Sequence, residues 1–175
     1  DLVEGDVNGC RDIFVFDQQN KKTEIVSVSS EGALGNGDSR FPVLSGDGRF
    51  VAFESTANNL VGGDNNNSSD IFVHDRRTGK TELVSIASDG LPGNRISRSP
   101  SISLDGRFIA FESESFNLVK NDNNNVADIF VHDRQTKTTR LISLSSSGSQ
   151  ANGASRSPSI SATGRFVAYE SNADN

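Results

Sequence analysis

Residues 60–75, LVGGDNNNSSDIFVHD, decide the fold because they are not unique: they return at 118–133 as LVKNDNNNVADIFVHD and stand earlier, at 2–17, as LVEGDVNGCRDIFVFD. The offset is 58 residues both times, with no insertion. In the same register SRFPVLSGDGRFVAFES at 39–55 recurs as SRSPSISLDGRFIAFES at 97–113 and SRSPSISATGRFVAYES at 155–171. A fixed period of this length marks a repeat architecture, in which a unit buries its apolar faces only against its neighbours. Three units follow, at 2–59, 60–117 and 118–175.

Inside the middle unit four apolar runs stand between turn residues, at 70–75, 81–87, 99–103 and 107–113, and none carries a helical stripe. Leu104-Asp105-Gly106 reads as a tight turn, with glycine taking the positive φ and aspartate bonding the backbone. Residues 76–80 join the other two runs in the same way. Phe72 and His74 alternate with Ile71 and Val73, and Phe108 and Ala110 with Ile109 and Phe111. Both faces are apolar, so each sheet is expected to be covered on both sides. The predicted fold is all-β: a β-propeller of four-stranded antiparallel blades, of which residues 1–175 form a part.

The order of runs places the chain's start at the third strand of one blade (12–17) and its end after the second strand of another (165–171), giving two whole blades and two complementary halves. Propellers close with about four to eight blades, and an open array leaves strand edges unpaired. Two completions are expected from this: a homodimer with a six-bladed ring, or missing blades from a longer chain. With no methionine among its 175 residues the chain reads as a processed or excised piece.

At these residues the sequence resembles the TolB-type β-propeller repeat family, a relative of WD-repeat blades. The matching features are the Pro-x-x-Ser-x-Asp-Gly-Arg turn at 100–107, the Ile-Ala-Phe-x-Ser strand at 109–113 and the Asp-Ile-Phe-Val-x-Asp strand at 70–75. Thr163 departs from the turn pattern that Asp47 and Asp105 keep, and only that turn is expected to weaken. Such propellers serve as binding platforms, assembly subunits and accessory domains of enzymes, so the resemblance implies a fold before a function. It also implies a sub-type whose Asp-x-Asn-x-x-x-Asp loop binds a cation.

Three loops carry that spacing: Asp6, Asn8, Asp12; Asp64, Asn66, Asp70; and Asp122, Asn124, Asp128. Carboxylate and amide oxygens in a tight loop suit calcium, which takes six to eight oxygens, whereas no His or Cys recurs there for zinc or copper. An EF-hand is excluded, because Asp75, at loop position 12 from Asp64, lies at the far end of a predicted strand. The same pattern also describes an Asx turn that caps backbone amides. A net charge of −6 argues against binding nucleic acid, and no apolar run reaches the roughly 18 residues of a membrane helix.

Catalytic signals are few. His74 and His132 share one repeat position with Phe16, no serine sits in a Gly-x-Ser-x-Gly elbow, and Cys10 is matched by Ser68 and Val126. Glu54, Glu112 and Glu170 repeat, which favours a structural role. Arg40, Arg98 and Arg156, four residues after Asn36, Asn94 and Asn152, precede the innermost strands and would form a ring at a channel mouth able to grip an anionic or carbohydrate ligand, or else pair with loop carboxylates. The expected function is a non-catalytic, calcium-binding propeller, extracellular or periplasmic, serving as a binding or scaffold module for a protein or carbohydrate partner. The alternative is the accessory propeller of a secreted or periplasmic peptidase or carbohydrate-active enzyme.

Overall fold

The computed structural model describes residues 2–175. Twelve strands form four antiparallel sheets in chain order. The first, β1 (Phe14–Asp17) with β2 (Lys22–Ile25), is two-stranded. A four-stranded blade follows, β3 (Ser39–Leu44), β4 (Phe50–Ser55), β5 (Asp70–Asp75) and β6 (Lys80–Leu83). A second blade contains β7 (Ser97–Ile102), β8 (Phe108–Ser113), β9 (Asp128–Asp133) and β10 (Thr138–Leu141). The last sheet pairs β11 (Ser155–Ile160) with β12 (Val167–Ser171). Two whole blades and two halves are thus present, as the repeat order requires.

Blade edges differ from the expectation in instructive ways. Strand β6 ends at Leu83 rather than at residue 87, because Ser85 turns its hydroxyl away from the ladder: Oγ donates to Asp70 Oδ1 (2.7 Å) and accepts from Ile71 N–H (3.0 Å). The half sheets are short. β1 begins at Phe14 and β12 at Val167, two residues later than the predicted 12 and 165; in the whole blades Asp70 and Ile71 are held by Ser55 and Glu54 of the adjoining strand, a partner β1 lacks among the described residues.

The predicted turn is in place. Gly106 has φ +73°, and Asp105 Oδ1 accepts from Ser103 Oγ (2.7 Å) and Arg107 N–H (3.0 Å). Where Thr163 replaces the aspartate, Gly164 N–H still reaches the Ser161 carbonyl (2.9 Å), so the turn loses its carboxylate cap and keeps its shape. Each hairpin is locked to the next by a bidentate ion pair, Arg49 to Asp75 (2.9 and 2.6 Å) and Arg107 to Asp133 (2.9 and 2.7 Å). These arginines hold both carboxyls well below the usual carboxylate range.

Strands β5 and β9 are buried at every position, confirming that both faces are covered. Between the whole blades, Ala52, Val73 and Val84 of the first pack with Ile109, Phe111 and Phe130 of the second. A polar tie crosses the same seam: Arg134 pairs with Glu82 of the first blade and is steadied within its own blade by donating to the Gly106 carbonyl (2.6 Å).

His132 belongs to this seam. Thr139 spends its hydroxyl proton on the Ile86 carbonyl, so His132 Nδ1 must be the donor to Thr139 Oγ1 (2.9 Å). Its Nε2 is buried without a partner, and burial pushes the imidazole pKa down to about 4. A depressed histidine binds fewer protons folded than unfolded, so its stabilising share is complete above about pH 6.5 and is lost as pH falls towards 4. His132→Phe, the residue type of the first repeat at Phe16, is expected to melt below the native chain at pH 7 and to close that gap between pH 6.5 and pH 4. Thermal melts of both proteins across this range check it; a gap that does not change with pH contradicts it.

Candidate functional site

The Asp-x-Asn loops open strand β5, its equivalent β9, and the segment leading into β1. In each, Asn donates to the following Asp, as Asn8 to Asp12 Oδ2 (2.8 Å), Asn66 to Asp70 Oδ2 (2.7 Å) and Asn124 to Asp128 Oδ2 (2.7 Å). The same amide reaches across to the carbonyl of Gly35, Gly93 or Ala151 (3.0, 2.7 and 2.9 Å), and its oxygen caps the amide two residues on, in Cys10, Ser68 or Val126. Asp12, Asp70 and Asp128 take a second bond from Ser27, Ser85 and Ser143 (2.5, 2.7 and 2.5 Å). In each triplet the asparagine and the aspartate four residues on are therefore joined directly, with the asparagines acting as Asx turns, while none of these bonds includes Asp6, Asp64 or Asp122.

The loops are not equivalent electrostatically. In the third, Gln150 Nε2 donates to Asp122 Oδ1 (2.7 Å) and Asp128 Oδ2 (3.2 Å), lying as a polarised amide between the two carboxylates. Pro92 and Leu34 occupy that place in the other units. In the second loop nothing comparable faces Asp64 and Asp70 among the described residues. Burial pushes the Asp70 carboxyl up to about 7, against the hydrogen bonds from Ser85 and Asn66, and the charge of Asp64 adds to the rise. Burial raises Asp64 as well.

As a cation site, such a loop offers two carboxylates of suitable chemistry, while its asparagine presents NH2 rather than oxygen to the aspartate. Among the described residues no group of three or more Asp, Glu, His or Cys side chains is placed to hold a metal ion. The remaining oxygens of a six- to eight-coordinate ion would come from backbone carbonyls and water.

Arg40, Arg98 and Arg156 are the second residues of β3, β7 and β11, and the ion pairs of the first two avoid the Asp-x-Asn loops: Arg40 bonds Asp38 (2.9 Å), while Arg98 pairs with Glu112 (3.4 Å) and with Glu114. Asn36 and Asn152 tie loops together, through Asn58 (2.7 Å) and Asp174 (2.6 Å).

Immediately after each arginine lies a feature that sequence reading missed. Phe41, Ser99 and Ser157 have φ of 53–54°, each at a register shift between innermost and second strand. A proline follows each, at 42, 100 and 158, and a proline within a strand is the available signal for a bulge. These bulges converge on one hollow of about 330 Å³ lined by Phe41, Pro42, Val43, Ser99, Pro100 and Ser157 with Pro158. Glu54, read as structural, accepts from Ser99 N–H of the next blade (3.4 Å). The larger hollow, about 490 Å³ beside Ser88 and Leu118, has only Asp89 and Lys120 as charged neighbours. Both histidines are committed to threonines, His74 to Thr81 at 2.9 Å. No helix among the described residues is long and apolar enough to cross a membrane.

No protein-family model and no curated protein matches the sequence. Solved structures do match the fold. TolB from Acinetobacter baumannii superposes with a TM-score of 0.52 at 16% identity, over 90% of this chain and 31% of its own. The tricorn protease gives 0.59 at 17% identity, over 94% of this chain and 13% of its own. A structure from work on two prolyl endopeptidases gives 0.55 at 13%, over 91% and 22%. The chain spans less than a third of the length of each. Repeat period, blade topology and superposition together give this chain the TolB-like β-propeller fold.

Proposed function

We propose that the chain is a non-catalytic propeller module, a binding or scaffold unit outside the cytoplasm, whose Asp-x-Asn loops take calcium. The supporting observation is the contrast between loops. Gln150 places an amide between Asp122 and Asp128, whereas Asp64 and Asp70 have Pro92 at that position and share a buried, mutually repelling site. A calcium ion between Asp64 and Asp70 would do for the second loop what Gln150 does for the third, and millimolar calcium outside the cell would fill a weak site of this kind. The commitment of both histidines to threonines supports the non-catalytic part. The bulges at Phe41, Ser99 and Ser157, with Arg40, Arg98 and Arg156 just before them, are the surface offered to a protein, carbohydrate or anionic ligand.

A second reading is favoured by the likeness to the tricorn protease and the prolyl endopeptidases. In it the chain is the accessory propeller of a secreted or periplasmic hydrolase, and the flanking reading frame carries the catalytic domain.

Calcium at about a hundred times its Kd adds about 2.7 kcal/mol, which for a chain of this size raises Tm by about 5–10 °C. A melt with calcium, then with chelator, is expected to show that rise and its reversal. Asp64→Asn is expected to abolish the calcium response while raising the metal-free Tm, since it removes one of two buried like charges. A native chain whose Tm ignores both additions has no calcium site, and its loops are capped turns only.

A further inference from the structure

We propose that two loops of the middle unit form a docking surface for an acidic segment of a partner protein, one that sets apolar side chains between carboxylates. The loops are residues 87–96, between β6 and β7, and residues 114–120, between β8 and β9, and they run side by side. Glu114 N–H reaches the Ile96 carbonyl (3.0 Å), Asn94 N–H the Asn117 side chain (3.0 Å) and Asn117 Nδ2 the Pro92 carbonyl (2.8 Å). Strands of the chain stand on either side of both.

Five positions on these loops depart from the repeat, all in one chemical direction. Leu91 stands where the other units have Ala33 and Ser149, Arg95 where they have Gly37 and Gly153, Ile96 where they have Asp38 and Ala154, Phe116 where they have Asn58 and Asp174, and Lys120 where the first has Gly62. Each departure adds apolar surface or positive charge, and the gain lies outside the core: Leu91 is 59% exposed, Phe116 46% and Ile96 39%. Exposed apolar residues scattered singly are ordinary; three on adjoining loops, beside a hollow of about 490 Å³ lined by Asp89, Asn117, Leu118 and Lys120 among others, mark an interaction site.

The backbone is adapted to these residues. A Cβ at Gly37 would meet the Ala57 nitrogen at 2.8 Å, and one at Gly153 the Asn172 backbone at 2.6 Å. Arg95 carries its Cβ together with a change in the facing segment: Ser115, where Ala57 and Ala173 stand, accepts from Arg95 N–H (2.9 Å) and donates to the Arg95 carbonyl (3.0 Å). The guanidinium lies over the Phe116 ring, 5.3 Å from its centroid. Phe116 also gives up a tie, since Asn36 and Asn152 donate to Asn58 and Asp174 (2.7 and 2.6 Å) and a phenylalanine offers Asn94 no such acceptor.

Charge selects the occupant. Arg95 and Lys120 make no ion pair among the described residues, whereas Arg98 close by is taken up by Glu112 and Glu114. Two free cations flanking three apolar side chains fit carboxylates flanking apolar ones. An anionic polysaccharide would meet the cations and leave Leu91, Ile96 and Phe116 unburied, while a peptide covers them; aromatic and arginine side chains are those enriched in protein interfaces. The surface rests on the binding-module reading in requiring a partner, and not on calcium.

Panning a phage-displayed library of random dodecapeptides on the native chain, with chelator present, is expected to enrich peptides that combine carboxylates with Leu, Ile or Phe. Fluorescence anisotropy of an enriched peptide is expected to show binding about tenfold weaker to Phe116→Asn, which restores the residue type of the first unit, and to Lys120→Glu, with both variants keeping the native Tm. Arg95→Gln is expected to flatten the salt dependence of binding. Enrichment of no peptide, of peptides without carboxylates, or of peptides whose affinity ignores both Phe116→Asn and Lys120→Glu overturns the inference. Polygalacturonate bound in place of peptide, or a native dimer dissociated by Phe116→Asn, assigns the surface to a polysaccharide or to a second copy and overturns it as well. A peptide released by Arg156→Ala but not by Phe116→Asn sits beside the bulges at Phe41, Ser99 and Ser157, which overturns this surface and leaves the module reading in place.

Discussion

A blade of this protein has no polar face. Strand β5 buries Ile71 and Val73 on one side and Phe72 and His74 on the other, and β9 repeats the pattern, so a single sheet would expose apolar surface wherever it lay. Its stability must come from neighbours on both sides, and the spacing of blades is set by close contacts that tolerate little change. Phe50 against Gly106 is one: the ring occupies the volume of a side chain the glycine lacks. Arg134 then covers the outer side of that ring, 4.2 Å from its centroid, while pairing with Glu82 of the same blade as the phenylalanine. Apolar fit and polar tie act on one seam and fix the same angle between blades.

The Asp-x-Asn loops solve a different problem, that of bringing a chain from the outside of one blade into a fully buried strand. Asp70 stands at the mouth of β5 with no exposure, and its carboxylate is held by Ser85 and Asn66. Ser85 in turn receives Ile71 N–H, so the network satisfies the first buried amide of the strand and terminates β6 in the same contact. Burying a carboxylate costs free energy, visible in the rise of Asp70 to about 7. At neutral pH that rise works against stability: the folded state binds its proton more tightly than the unfolded state between about pH 4 and pH 7, so the contribution fades as pH climbs through 7, opposite in sign to that of His132.

Features set by local residues were legible in the sequence; features set across blades were not. The 58-residue register, the Leu104-Asp105-Gly106 turn and the double-sided burial of 70–75 each follow from a few adjacent side chains, and all appear where expected. The early end of β6 depends on Ser85 finding Asp70, 15 residues back, and could not be seen in a run that stays apolar through residue 87. The left-handed φ of Ser99 comes with a bond from its N–H to Glu54, 45 residues away, although Pro100 hinted at a bulge. Within the candidate site the pairing of Asn8, Asn66 and Asn124 with the aspartates four residues on was legible from spacing alone. What distinguishes the loops was not, because Gln150 lies 28 residues from Asp122 and its counterparts Pro92 and Leu34 carry no polar group with which to compare it.

Departures from the repeat are informative for the same reason, since a unit copied three times changes where its surroundings change. Arg76 and Arg134 bond Glu24 and Glu82 across the seams. Gln18 stands where the arginines stand, and Arg140 where the glutamates stand. Residue 18 opens the turn of the first half sheet and residue 140 lies on β10, and neither makes a cross-seam ion pair among the described residues. Position 16 changes too: the imidazole that His74 and His132 turn to Thr81 and Thr139 gives way to Phe16, although Thr23 keeps the threonine's place. The imidazole serves the seam through that threonine, whose hydroxyl reaches the Val28 or Ile86 carbonyl of the preceding sheet, so the two positions act as a pair and Phe16 breaks it.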